Sequence, residues 1–297
     1  MEDNAIFLQS VESLRFHIDR RLAELIPPPE REPVQLSQAA HYALLAPGKR
    51  FRPLLTLLAA EAFGAPAVRA LDVACAMEMV HAASLVLDDL PSMDDARLRR
   101  GRPTTHRVYG EAEAILAAVG LLTQSFAVIA GAEALSLEDR IALVGELTEA
   151  VGFSGLVAGQ GLDLAERTRP RGLSELDDLN HKKTSVLMMA AAEAGARIGG
   201  ASEDARRECG EFARRIGLAF QIRDDLIDAE AAAENAGKDV GKDACMTTLV
   251  SVLGPREASR AMEAHLQAAD AALTRAGCAG RLAPFARSLF SGRKAAA

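Results

Sequence analysis

The run AVRALDVACAMEMVHAASLVLDDLPSMDD, residues 67–95, decides the fold. Residues 67–90 are apolar on nearly all sides of a helix, which predicts a central buried helix rather than a surface one. Pro91 disfavours helical geometry at Leu90, so that helix should end or distort where Asp88, Asp89, Asp94 and Asp95 gather. A regular helix turns about 100° per residue and would misalign Asp88 and Asp94 by about 120°, whereas a proline-distorted turn brings them back onto one metal. Carboxylates so close together repel unless a cation lies between them. Mg²⁺ is the usual answer, because it takes one or two carboxylates together with phosphate oxygens of a substrate.

Working outward, a second acidic cluster follows another apolar run, in QIRDDLID at residues 221–228. Asp224 and Asp228 are four apart and share one helix face, and Gln221 lies one turn before Asp225. Either cluster alone is compatible with a solvated helix terminus. Both together suggest a polyphosphate held by metal between two facing helices. Basic residues support that reading at four places: Lys49, Arg50 and Arg52 at a helix start, Arg99, Arg100 and Arg102, then Lys182 and Lys183, and Lys238. A helix N-terminus already favours an anion, arginine grips phosphate with a bidentate fork, and lysine acts as a point charge. His81 lies two turns before Asp88 on the same face, and reads either as a buried core histidine or as a phosphate donor beside Lys49 and Arg52. The segment Gly159–Leu164 permits close helix approach and carries no assigned role, nor do His106 and His181.

Composition sets the fold class. Hydrophobic residues make up 49% of 297, aromatics only 4%, and there is no Trp. That balance favours closely packed helices over strands, which draw on aromatic and β-branched residues. Helices are predicted over about 5–26, 35–45, 52–63, 67–90, 110–134, 137–165, 173–199, 202–232, 246–276 and 280–292, broken by Pro, Gly and charge clusters. The expectation is one all-α domain over residues 1–297. The net charge of −7 argues against nucleic-acid binding. Cys75, Cys209, Cys245 and Cys278 are isolated and read as core fillers in a reducing compartment. The acidic Met1-Glu2-Asp3-Asn4 is followed by no long apolar region, and no stretch of about 18 uncharged apolar residues is evident. A soluble cytoplasmic protein with no membrane span is expected. There is no arrangement for a covalent nucleophile and no G-x-x-x-x-G-K-[ST] run. The chemistry should therefore be metal-assisted, with diphosphate leaving.

The residues His81–Asp95, the run Leu98–His106, Gln221–Asp228, Gly48–Pro53 and the pair Lys183-Thr184 together resemble the trans-isoprenyl diphosphate synthases. The likeness covers roughly residues 35–255 and is nearest to bacterial geranylgeranyl diphosphate synthases. It implies an isoprenoid-synthase helical bundle around a central apolar cavity. It also implies Mg²⁺, three ions per site, on Asp88 and Asp94 with Asp89 assisting, and on Asp224 with Asp228. Arg99, Lys183, Thr184, Gln221 and Lys238 would contact the allylic diphosphate, and Lys49, Arg52, His81 and Arg100 would cradle isopentenyl diphosphate. Asp88, Asp94, Arg99, Lys183 and Asp224 would carry the catalysis. One departure stands out: Met246 occupies the place of a phosphate-binding lysine, with Lys242 close by.

Chain length should depend on Ala83 and Ser84, five and four residues before Asp88. Both are small, whereas farnesyl-producing members of the family carry a bulky aromatic at the position of Ala83. The expected product is therefore geranylgeranyl diphosphate, with Met77, Met79, Val80, Leu121 or Leu122 as the tunnel floor. The alternatives are a farnesyl diphosphate synthase, a non-catalytic partner subunit, and a terpene cyclase, which would not need a second diphosphate pocket. Family members generally form homodimers, and residues 110–134 offer a contact face.

Overall fold

The computed structural model describes residues 2–165, 172–235 and 248–290. In order, these form α1 (Glu2–Leu25), α2 (Val34–Leu44), α3 (Phe51–Ala62), α4 (Ala67–Asp88), β1 (Leu98–Arg99), β2 (Arg102–Pro103), α5 (Thr105–Tyr109), α6 (Glu111–Ala130), α7 (Leu137–Val151) and α8 (Leu156–Ala165). After these come α9 (Leu173–Asn180), a π-helical turn (His181–Ser185), α10 (Val186–Ile198), α11 (Glu203–Asn235), α12 (Leu249–Leu253), α13 (Pro255–Ala276) and α14 (Ala279–Phe290). The fold is all-α, with one minimal hairpin among the described residues.

The described residues gather into two compact units. One comprises the described part of Met1–Leu147, Ala191–Ser202 and Gly280–Ala297, and the other that of Thr148–Ala190 and Glu203–Ala279. In the first unit α4 packs against α3 and α6, and every residue from Val73 to Val80 is buried. Fully burying a Val or Met side chain stabilises by roughly 1.5–3 kcal/mol, so this helix anchors the unit as its apolar sequence predicts. In the second unit α11 packs along α13, and the π turn sits against α8, α9 and α11. Ile222, Leu249, Val250 and Ala258 form a small core there.

Four expectations need correction. The predicted helix over 137–165 is two helices, interrupted at residues 152–155 by Gly152 and Gly155. The one over 246–276 is divided at Gly254, whose φ of 80° ends α12 while Pro255 opens α13. The basic run Leu98–Pro103, where an all-α chain was expected to hold no strand, forms a minimal antiparallel hairpin. Finally, three helical stretches are long and apolar enough by composition to cross a membrane: Ala67–Asp88, Glu111–Ala130 and Leu137–Ala165. In Ala67–Asp88 the apolar window is 67% buried inside the protein, so core packing accounts for its hydropathy.

Candidate active site

The last turn of α4 delivers the first acidic cluster. The helix ends at Asp88, and the chain then folds back so that the Asp94 N–H donates to the Asp88 carbonyl at 2.9 Å. The helix thus ends at the first aspartates, as Pro91 predicts, and a backbone hydrogen bond spans the six residues from Asp88 to Asp94. Asp88 is half-buried and Asp94 is exposed. Asp89 turns elsewhere: it is buried, and its Oδ1 accepts from Arg99 Nε at 3.0 Å and Nη2 at 2.6 Å. Arg99 comes from β1, where Leu98 pairs with Pro103 and Arg99 with Arg102. Arg100 and Gly101, at φ 53° and 74°, are the two left-handed residues of a tight two-residue turn.

That turn carries Arg100 back to the start of α3. Its Nη1 donates to the Pro47 carbonyl at 3.0 Å, and a Cβ on Gly48 would collide with its guanidinium. A side chain at 48 would therefore push the Arg100 guanidinium out of this position. Arg50, Glu78, His81, Asp89, Arg99 and Arg100 line a cavity of about 50 Å³. Burial, with Arg100 adding to it, pulls the Arg52 pKa down to about 10 against the opposing pull of Glu78. The Arg52 Nε is buried and has no hydrogen-bond partner among the described residues. Burial, then Arg52, Arg100, Arg99 and Arg50, push the His81 pKa well below its ordinary value. His81 is therefore a neutral imidazole at neutral pH amid guanidinium groups. The predicted trio Arg52, His81 and Arg100 is brought together, while Lys49 is exposed beside it. Such a cluster, with one orphaned buried donor, suits an anion.

Ala83 is buried on α4, and the Ser84 hydroxyl donates to the His81 carbonyl at 2.9 Å. Neither lines that cavity, which instead meets α4 at Ala82, Leu85 and Val86. Met77, Met79, Val80 and Leu121 are all buried, and Leu122 partly so.

In the second unit Lys183 and Thr184 occupy the π turn, a geometry often found at functional sites. Lys183 Nζ donates to Asp163 Oδ2 at 2.8 Å, and the carboxylate is buried. Gly159 makes this possible, because a Cβ there would lie 2.7 Å from the Lys183 backbone nitrogen. The π turn also meets α11, where the Ser185 hydroxyl reaches the Arg214 carbonyl at 3.5 Å. Farther along α11, Gln221 Nε2 donates to Asp225 Oδ1 at 3.0 Å, so Gln221 holds the middle aspartate. Burial raises the Asp225 pKa, opposed by the bonds from Gln221 and the Leu249 backbone and reinforced by Asp228. Asp224 is half-buried and Asp228 exposed. Lys238, Lys242 and Met246 lie outside the described residues.

The acidic groups fit Mg²⁺. Their donors are hard carboxylate oxygens, and Mg²⁺ binds through one or two carboxylates together with phosphate oxygens and water. Sequence reasoning passed over Glu78 and Asp163, both charged and buried in ion pairs, Glu78 with Arg50 and Asp163 with Lys183. The available signal was an acid inside an otherwise apolar helix, three residues before His81 and four after Gly159 respectively.

Two aspartate-rich helix segments and a basic anion pocket, on an all-α fold, are the equipment of an enzyme that works on prenyl diphosphates. Residues 33–271 match the family described as polyprenyl synthetase. The chain is 46% identical over 269 residues to a geranylgeranyl diphosphate synthase of Pantoea ananas, covering 90% of this chain and 88% of that protein. It is 45% identical over 249 residues to a farnesyl diphosphate synthase of Geobacillus stearothermophilus, covering 80% and 84%. The apo crystal structure of an FPP/GFPP synthase from Zymomonas mobilis superposes with a TM-score of 0.87 at 34% identity, covering 97% of this chain and 100% of that one. The chain belongs to the polyprenyl synthetase family and is a trans-prenyltransferase.

Proposed function

We propose that the protein condenses isopentenyl diphosphate with an allylic diphosphate, farnesyl diphosphate for preference, releasing geranylgeranyl diphosphate and diphosphate. The observation that carries this is a basic cluster in which Arg52, His81 and Arg100 act on one another, present in addition to the carboxylates of Asp88 and Asp94. Two diphosphates need two such sites. The small, buried Ala83 supports the C20 product. Asp88 and Asp94, with Asp89 behind them through Arg99, would hold two Mg²⁺, and Asp224 with Asp228 a third. When bound, the metal supplies charge stabilisation for the leaving diphosphate.

The protein's own groups do the rest. Arg99, Lys183, Thr184, Gln221 and Lys238 would bind the allylic diphosphate, and the positive charge of the arginine and the lysines would favour C–O cleavage with the electron pair leaving on oxygen. Lys49, Arg52, His81 and Arg100 orient isopentenyl diphosphate so that its alkene forms the new C–C bond. A proton then departs, with the released diphosphate as base. Apolar helices exclude water that would otherwise capture the cation. We assign the activity to one catalytic domain over residues 1–297, in the cytoplasm, in a homodimer joined through α6.

The farnesyl reading is favoured by the likeness to the Geobacillus enzyme. The test is to incubate the purified chain with Mg²⁺, isopentenyl diphosphate and farnesyl diphosphate, then to resolve products by chromatography. A C20 product is expected, and chelation by EDTA should abolish its formation. Arrest at C15 from shorter primers would establish the farnesyl reading. No turnover by the chain alone would favour a non-catalytic partner subunit.

A further inference from the structure

The GKRFRP run holds three cations, Lys49, Arg50 and Arg52, and the middle one behaves differently from its neighbours. Arg50 is the N-cap of α3 and has left-handed backbone angles, φ 49° and ψ 40°, with no capping side chain. A non-glycine residue keeps that conformation only where its surroundings over-determine it. Here the constraint is a two-sided clamp. Arg50 Nη1 donates to Glu78 Oε1 at 2.9 Å and its Nε to Asp19 Oδ1 at 2.6 Å. The Arg50 and Glu78 side chains are each only 4% exposed, whereas Asp19 is 47% exposed. The Arg50 carbonyl accepts the first helical bond of α3, from Leu54 at 3.0 Å.

Glu78 does more than pair with Arg50. It also acts on Arg52 and Arg100, favouring their charged forms. It sits on α4 one turn before His81 and lines the same cavity. One buried carboxylate thus serves three guanidinium groups. Glu78 and Asp19 together carry two negative charges against the three guanidinium groups of Arg50, Arg52 and Arg100, so a positive surplus remains for an anion while the turn that carries it is fixed. We propose that Glu78, acting through Arg50, is the positioning residue of the isopentenyl diphosphate pocket: it locks the Pro47–Arg52 turn so that Lys49, Arg52 and Arg100 converge on one diphosphate. The inference rests on the function proposed above.

Two effects of removing the Glu78 charge oppose each other, and their signs separate the hypotheses. If Glu78 were only a counter-charge, Glu78→Gln would raise the local positive potential and lower KM for isopentenyl diphosphate. If it positions the turn, the same change releases Arg50 and raises that KM, by on the order of tenfold, while KM for the allylic substrate moves little. Arg50→Met should produce a similar rise, and the double variant should lose no more than either single one. An unchanged or lowered KM for isopentenyl diphosphate in Glu78→Gln overturns the proposal. Should that variant fail to fold, Asp19→Asn loosens the half-exposed side of the clamp, and a smaller rise in the same KM is expected. No rise there would overturn the proposal as well. If the wild type makes no prenyl product, the functional reading fails separately. Titration with inorganic diphosphate, without metal, then tests the clamp: weaker binding by Glu78→Gln supports it, and equal binding refutes it.

Discussion

A lysine proposed to meet a diphosphate has to be held in place without losing its charge. In Lys183 the ammonium has three donors and gives one to Asp163, whose carboxylate is 4% exposed against 31% for the lysine. The buried partner fixes the position while the exposed head keeps donors for a ligand. Asp163→Asn removes the anchoring charge and should raise KM for the allylic substrate about tenfold with little change for isopentenyl diphosphate, as steady-state kinetics with each substrate varied in turn will show. His81 gives a second prediction. Its folded pKa lies well below the ordinary 6.5, chiefly through burial, so between those two values the unfolded chain binds more protons. Stability there rises with pH, at a slope of up to about 1.4 kcal/mol per unit for one such group. His181 and His265 are lowered too, again chiefly by burial, and push the same way. Melting temperature should therefore fall as pH drops from 7 to 5, and His81→Gln should make the fall shallower. Inorganic diphosphate should also make it shallower, because a bound anion favours the protonated imidazole. A melting temperature indifferent to His81→Gln across that range would contradict the assignment.

At the scale of elements, α4 links the acidic cluster to the apolar interior. Its buried Ala83 lies five residues before Asp88, about 7.5 Å down the helix axis at 1.5 Å per residue. Ala83→Phe should shorten the product from C20 to C15 in a chromatographic assay, and an unchanged product profile would remove Ala83 from the chain-length machinery. The π turn depends on Gly159 in a comparable way. Gly159→Ala would place a methyl 2.7–2.8 Å from the backbone of Lys182 and Lys183. Overpacking against rigid backbone typically costs about 1–3 kcal/mol, so both melting temperature and activity with the allylic substrate should fall. These elements differ in how plainly the sequence announced them. The helix of residues 67–88 was legible because its apolar residues fill every face, and the proline after Asp89 marked its end. The hairpin at Leu98–Pro103 was not, since two-residue strands leave no alternation to detect and Arg100 adopts a left-handed conformation unusual for arginine. A π turn inside a helix shifts the period by one residue over a single turn, too little to register against the apolar pattern. Asp88, Asp94, Arg52 and His81 could be proposed from spacing because their neighbours in sequence share their chemistry. Glu78 and Asp163 could not, because their partners Arg50 and Lys183 lie 28 and 20 residues away.

For the molecule as a whole, the exposed apolar side chains of α6 set the remaining question. One side of this helix is committed: Ala114, Ala117, Ala118 and Leu121 are buried, and α6 packs against α4. Ile115, Leu116 and Val119 are 41%, 55% and 50% exposed, in a helix with no Asp, Glu, Lys or Arg after Glu113. Leaving that surface in water forgoes roughly 25 cal/mol per Å² of apolar area that could be covered. A second copy can cover it, since a two-fold axis sets the same patch against itself and needs no other partner. Wild-type protein should then sediment at twice the 31.5 kDa chain mass. Leu116→Glu puts a carboxylate into the patch of each copy, so two like charges face one another in a desolvated contact, an arrangement that costs several kcal/mol. The variant should sediment as a monomer with unchanged helical circular dichroism, because the side of α6 that packs on α4 is untouched. A Leu116→Glu protein that stays dimeric would show that the copies meet through some other surface, and the apolar stripe would then need a different occupant.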